Sequence, residues 1–242
     1  MAPERKNDMH DDGGCFGWTI LCDFDGTIST VDVTDALLAA FGRPGWEVLE
    51  ARWQRGEIGS MACMAGQVEL LDVSPAELAV ALRAVRIDPA FPRFVAAARA
   101  LGLPLGVASD GLDHVIQSVL AHQGIDGVPV AANHLVQAGE TRWRLEFPHA
   151  RADCWRVSGN CKCALAQAHR AHGPVLYIGD GASDHCVAHR ADFVFAKSTL
   201  VDYVQREGIA HSVIEGFDDA LALLPRFATV DAVMTSIDGE AA

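Results

Sequence analysis

A short apolar run, Thr19-Ile20-Leu21-Cys22, ends abruptly in Asp23-Phe24-Asp25-Gly26-Thr27. No other stretch constrains the fold as tightly. The run is too short for a helix and carries β-branched residues, so it predicts a buried strand. In an extended chain residues i and i+2 point to the same side. Asp23 and Asp25 therefore face one point past the strand end, while Phe24 turns the other way. Two carboxylates this close repel, and one keeps its proton unless a cation sits between them. The pattern suits a divalent ion with hard oxygen ligands, or an acid/base working beside a nucleophile. Asp-Gly is also a common turn signal, and the bland reading is a pair of turn aspartates.

Other strand ends weaken that bland reading. Leu103 to Ala108 is a second short apolar run, followed by Ser109-Asp110-Gly111 and a helix to about Gln123. Val175 to Ile178 is a third, followed by Gly179-Asp180-Gly181-Ala182-Ser183-Asp184, and Asp192 to Ala196 is a fourth. Val128 to Leu135 and Thr141 to Phe147 alternate around Gln137-Ala138-Gly139-Glu140 and predict a hairpin. A cysteine-bearing loop then leads into a helix from about Lys162 to His172.

The segment from 31 to 85 carries helical spacing and no strand signal. Thr34–Phe41, Trp46–Trp53 and Ser60–Leu71 are its first helices. Ser74-Pro75-Ala76-Glu77 matches a capping box opening a helix to about Val85, and Asp88-Pro89 predicts another to about Ala100. The expected organisation is an α/β core at 18–30 and 86–230, with a mostly parallel, Rossmann-like sheet flanked by helices. A helical cap is inserted at 31–85, and tails lie at 1–17 and 231–242. In such sheets ligands bind at the carboxyl ends of strands.

The bulk numbers narrow the partners. Half of the 242 residues are hydrophobic, which supports a full core, and the formal net charge is −13. Such a surface repels phosphate backbones and anionic membranes, so nucleic acid and membrane are poor partners. A phosphorylated small metabolite needs a local cation inside so acidic a protein, which makes each lysine near the strand ends informative. Met1 to Gly14 lack the apolar segment of a signal peptide, and seven cysteines do not pair off. A cytoplasmic protein with reduced thiols is expected.

Asp23 can act as nucleophile and offer an oxygen to a metal, and Asp25 can pass a proton to a leaving oxygen. Gly26 and Thr27 can present N–H groups to anionic oxygens. Ser109 adds a hydroxyl, and Asp110 and Gly111 fall at an expected helix start, where anions are favoured. Lys162 opens a helix and can reach the same point. Asp180 and Asp184 share one face if a helix starts at Ser183, and would complete a hard-cation site for Mg²⁺. Phosphoryl transfer needs these parts, because positioning and charge neutralisation supply most of its catalysis.

Asp23-Phe24-Asp25-Gly26-Thr27, Ser109, Lys162 and Gly179-Asp180-Gly181-Ala182-Ser183-Asp184 resemble, in order, the four motifs of the haloacid dehalogenase (HAD) superfamily. An Asp two residues after the nucleophile is similar to its phosphatase branch. The resemblance implies an aspartyl-phosphate on Asp23, acid/base work by Asp25 and phosphate binding by Ser109 and Lys162. It implies Mg²⁺ held by Asp23, Asp180 and the backbone carbonyl of Asp25, under a cap like that of the phosphoserine-phosphatase-like group. Phe147-Pro148-His149, Cys154 and Gly159-Asn160-Cys161-Lys162-Cys163 are similar to two of its groups. One acts in methionine salvage on 2-hydroxy-3-keto-5-methylthiopentenyl-1-phosphate, the other on phosphoethanolamine and phosphocholine. Ser109-Asp110-Gly111 resembles the first more closely and departs from the Ser-Gly-Gly of phosphoserine phosphatases. A phosphomutase and a non-catalytic phosphate-binding domain on the same fold are the alternatives.

Cys154, Cys161, Cys163 and His149 are zinc ligands by type, but Cys-x-Cys is awkward for tetrahedral closure, so packing or loop bracing is favoured. His185 and His189 fit a solvated helix face. Trp46, Trp53, Met61 and Met64 fit the cap core, with one or two facing substrate, and Arg43, Arg52 and Arg55 are candidates to meet a substrate carboxylate.

Overall fold

The computed structural model describes residues 17–228, so the expected tails lie outside the described residues apart from Gly17. Seven strands form one sheet: β1 (Thr19–Cys22), β2 (Leu105–Leu112), β3 (Val130–Gln137), β4 (Trp143–Glu146), β5 (Val175–Gly179), β6 (Phe193–Ala196) and β7 (His211–Val213). Their order is β4-β3-β2-β1-β5-β6-β7, which places β1 at the centre. Ile20 pairs with Leu105 on one side and Leu176 on the other, both in parallel register. Only the β3–β4 hairpin is antiparallel.

The alternation of side chains along β1 explains the two covered faces. Ile20 and Cys22 join one apolar cluster, and Leu21 joins the other. The first face is covered by α5 (Phe91–Ala100), α6 (Asp113–His122) and α10 (Phe217–Leu223), through Phe91, Phe94, Ile116 and Phe217. The second is covered by α7 (Lys162–Arg170), α8 (His185–Ala188) and α9 (Leu200–Arg206), through Ala166, Val187, Leu200 and Val204. A strand buried on both sides has no place for an unpaired charge, so the first carboxylate appears only where β1 ends.

Between β1 and α5 the described chain is helical: α1 (Val33–Phe41), α2 (Trp46–Gln54), α3 (Ser60–Glu69) and α4 (Pro75–Leu82). Asp32 caps α1 by accepting from Asp35 N at 2.9 Å, and the Ser74–Glu77 capping box opens α4 as its sequence predicts. An antiparallel bridge between Ser29 and Ile87 marks where the chain leaves and rejoins the sheet. The far end is pinned by the hairpin: Trp143 Nε1 donates to Val73 O at 2.8 Å, and Val73 N donates to Thr141 O at 3.1 Å. Among the described residues no helix is long and apolar enough to cross a membrane.

Two elements differ from their sequence reading. α5 starts at Phe91, with Pro92 rather than Pro89 in its first turn. Asp88 instead accepts from Ala90 N at 2.8 Å and, across the chain, from Phe217 N at 3.0 Å, so it joins α5 to α10. β2 runs on to Leu112 and α6 begins at Asp113, so Ser109, Asp110 and Gly111 lie on a strand and not at a helix start. The β2–β3 register shifts between Ala108 and Leu112. Such an irregularity re-aims side chains without ending the strand, a device found beside functional sites.

Candidate active site

The strand ends converge. Asp23, Asp25, Ser109, Asp110, Gly111 and Asp180 line one cavity of about 230 Å³, between the carboxyl edge of the sheet and α1–α3. Asp23 is 4% exposed; Phe24 N donates to its Oδ1 at 2.8 Å, and Lys162 Nζ pairs with its Oδ2 at 2.8 Å. Lys162 is the first residue of α7 and is 3% exposed. It also donates to Asp184 Oδ1 at 2.7 Å and Ser183 Oγ at 3.2 Å. Burial alone would depress its ammonium, but the charges of Asp184, Asp23 and Asp110 outweigh burial and push it above its ordinary value.

Asp180 follows β5, and Thr27 Oγ1 donates to its Oδ1 at 3.0 Å. Gly26 makes the turn possible: its φ of +72° lies in the left-handed region, and a Cβ there would run into the Asp180 carboxylate. Asp184 sits behind this front row with no exposed surface. Its Oδ1 accepts from Lys162 and, at 2.6 Å, from Tyr177 OH; its Oδ2 accepts from Asp180 N at 2.9 Å and Gly181 N at 3.2 Å. Asp184 ends a 3₁₀ turn, Ala182–Asp184, and reaches Asp180 by folding back on the turn rather than by sharing a helix face. Burial would raise Asp184, but Lys162, Tyr177 and the Gly181 N–H hold it below the usual carboxylate range. Burial, and then the Asp184 charge, push Asp23 and Asp180 up.

Asp23, Asp180 and Asp184 offer ligand oxygens that all lie within 4.8 Å of one another. Lys162 pairs with Asp23 and Asp184 and not with Asp180, so the three carboxylates keep excess negative charge. A hard divalent cation fits that donor set and that deficit. Asp25 turns its side chain toward α1, where Val33 N donates to its Oδ1 at 2.8 Å. Its carboxyl is pushed up to about 8 by burial and then by the Asp32 charge, so it holds a proton at neutral pH.

The expected anion cradle is altered in detail. Thr27 N donates to Phe24 O at 3.3 Å, inside the turn, so Thr27 contributes its hydroxyl to Asp180. Gly111 N donates to Ser109 Oγ at 3.0 Å. Asp110 uses its side chain: Oδ1 accepts from Ser158 Oγ at 2.8 Å and Asn160 N at 3.3 Å. Asn160 Nδ2 donates to Ser109 O and Ala131 O, each at 2.7 Å. These bonds strap the loop before Lys162 onto β2 and β3, which aims the ammonium. Arg43 donates to Glu69 O, and Arg52 and Arg55 pair with Glu57 at the surface; none of the three lines the cavity. His185 stacks on Tyr203 with ring centroids 3.7 Å apart.

Sequence reasoning passed over Tyr177 and Lys197, and quoted Asn160 only within a motif, without its bonds to Ser109 O and Ala131 O. Lys197 Nζ donates to Gly26 O at 3.1 Å. It directly follows β6, so the strand-end rule applied to the fourth strand finds it. Tyr177 looks like core from its strand, and Asn160 like loop.

This geometry sets a buried lysine and a group of carboxylates at the carboxyl edge of a mostly parallel α/β sheet. The chain belongs to the haloacid dehalogenase-like hydrolase family, which it matches over residues 20–189. A protein of Geobacillus kaustophilus named 2-hydroxy-3-keto-5-methylthiopentenyl-1-phosphate phosphatase is 31% identical over 87% of this chain and 97% of its own. A protein of Exiguobacterium sibiricum with the same name is 31% identical over 83% and 93%. A substrate-bound phosphoserine phosphatase structure superposes with a TM-score of 0.64 at 18% identity, over 85% of this chain and 97% of that one. That likeness concerns the fold.

Proposed function

We propose that the chain hydrolyses a small phosphomonoester through an aspartyl-phosphate on Asp23, with Mg²⁺ as cofactor. The observation that carries this reading is that Asp23 and Asp180, from distant parts of the chain, line one cavity, with the buried Lys162 ammonium 2.8 Å behind Asp23. Asp23 forms the bond to phosphorus as the bond to the leaving oxygen breaks. Asp25 gives that oxygen its proton, for which a carboxyl titrating at about 8 is suited. The Asp25 carboxylate then takes a proton from water, whose oxygen displaces Asp23 and releases phosphate. Lys162 neutralises transferring oxygens and fixes Asp23, while Ser109 and Gly111 face the same space. Mg²⁺, when bound by Asp23, Asp180 and the Asp25 carbonyl, supplies the remaining charge neutralisation. We also read α1–α4 as the cap that excludes water.

The names of the relatives support a methylthio-ketose 1-phosphate as substrate, and Trp53, Cys63 and Met64 give the cavity an apolar wall for a thioether tail. One observation favours a second reading. Asp32, Asp35 and Glu50 line the same cavity beside Trp53, and no lysine or arginine does. Carboxylates around an aromatic ring suit an ammonium group, as in phosphoethanolamine or phosphocholine, and repel the carboxylate of phosphoserine. Initial rates on the four compounds decide. The methylthio-ketose phosphate should exceed each of the others at least tenfold in kcat/KM, with phosphoserine slowest; a lead for either ammonium ester reverses the assignment.

Mg²⁺ should stabilise the native protein as well as activate it. At one hundred times its Kd a ligand specific to the native state adds about 2.7 kcal/mol, a rise of several degrees in Tm. Metal-independent turnover, or an unchanged Tm with saturating Mg²⁺, would remove the shared cation from the site.

A further inference from the structure

Four cysteines lie together outside the catalytic cavity. Cys154, Cys161, Cys163 and Cys186 line one cavity of about 580 Å³, and all four are free thiols. The fourth member is Cys186 of α8, not the His149 that sequence spacing brings forward. Within that lining Cys154 lies beside Cys161, on the loop before α7, and Cys163 of α7 lies beside Cys186 of α8. No third sulfur closes around either pair. Among the described residues, the one group of three or more metal-ligand atoms drawn together is Asp23, Asp180 and Asp184. Two separate pairs suit sulfur–sulfur bonding, whereas a tetrathiolate metal centre needs four sulfurs around one point.

The pairs differ in what they join. Cys154 and Cys161 lie on one loop, and Cys161 is buried. Cys163 and Cys186 are each partly exposed and connect α7 to α8. Cys163 directly follows Lys162, and Cys186 is two residues beyond Asp184. Lys162 and Asp184 meet at 2.7 Å. A bond between these two cysteines therefore ties together the helix starts that carry that ion pair.

We propose that Cys163 and Cys186 are a reversible oxidation site, where a peroxide forms a disulfide that displaces Lys162 and slows hydrolysis. One thiol attacks hydrogen peroxide; the O–O bond breaks, the sulfur becomes a sulfenic acid and one water leaves. The second sulfur displaces the sulfenic oxygen, which departs as water with the remaining thiol proton. Two thiols and one peroxide thus give one disulfide and two waters. The effect on rate rests on the role given to Lys162 above: a shift of about 1 Å at a positioning group costs on the order of 100-fold.

The test uses the full chain, reduced and then treated with hydrogen peroxide. Non-reducing peptide mapping reads the linkage, and aryl-phosphate hydrolysis with Mg²⁺ reads the rate. The expected result is a Cys163–Cys186 cross-linked peptide with a rate loss of roughly tenfold to 100-fold, both reversed by dithiothreitol. C163S and C186S should match the untreated rate and resist peroxide. A cross-link confined to Cys154–Cys161, oxidation to sulfinic acid without a cross-link, or a Cys163–Cys186 bond with unchanged rate would each overturn the proposal. So would stoichiometric zinc that C163S and C186S lose. A reduced protein without phosphatase activity would instead defeat the hydrolase reading, and the peptide map still reports the thiols.

Discussion

Asp23→Asn should lower turnover on the order of 10⁴-fold or more while leaving the chain folded, in line with removal of a covalent nucleophile. The amide keeps the volume of the side chain and its oxygen can still accept from Phe24 N, which donates to Oδ1 at 2.8 Å. It cannot form the acyl phosphate. Stability should not fall, because Asp23 is a carboxylate that burial and Asp184 already disfavour. Lys162 keeps Asp184 as its partner at 2.7 Å. Without Mg²⁺ the variant should melt at or above the wild-type temperature. Acid-quenched enzyme given a phosphorus-labelled substrate should carry label on Asp23 in the wild type and none in the variant. An Asp23→Asn protein that turns over at the wild-type rate sinks the mechanism.

Lys162→Met should cost both activity and stability. The side chain is 2% exposed and bridges Asp23 and Asp184 at 2.8 and 2.7 Å. Removing one partner of a buried ion pair leaves an uncompensated charge and typically costs about 3–5 kcal/mol. Urea unfolding at pH 7 without Mg²⁺ should show a loss of that order. The pH dependence has a definite sign. In the wild type the Lys162 ammonium is raised above its ordinary value of 10.5. Its contribution is full below 10.5 and is lost as pH rises through the higher folded value. In the variant, Asp23 and Asp184 lose their cation, and both should titrate above the unfolded value of 3.8. The variant then binds more protons folded than unfolded, so it should weaken as pH rises from 3.8 and recover part of its deficit on acidification. A deficit that is the same at pH 5 and pH 7 would mean that Lys162 acts by packing and not by charge.

Much of this site is legible in the chain because its signals are short in range. Asp23 and Asp25 at i and i+2, Gly26 at the turn, and Asp180 after Val175–Gly179 each need only a few residues to be recognised. The capping box of α4 and the β3–β4 hairpin are local in the same sense. Where local signals competed with distant partners, the reading failed. Ser109-Asp110-Gly111 looks like a strand end, yet β3 pairs on past it and carries β2 to Leu112. Asp88-Pro89 looks like a helix start, yet Asp88 is claimed by Phe217 N, 129 positions away.

Sequence alone sets where β1, β5 and β6 stop and what chemistry waits there, because a few residues of apolar pattern decide both. It does not set which carboxylate Lys162 pairs with, that Asp110 straps a loop, or that Asp32, Asp35 and Glu50 share the cavity of Asp23. Nor does it bring Cys186 into the cavity lined by Cys154, Cys161 and Cys163. Those are contacts between side chains far apart in the chain, and charge and hydrogen bonding act over a few ångströms. They exist only once the sheet and its helices have packed.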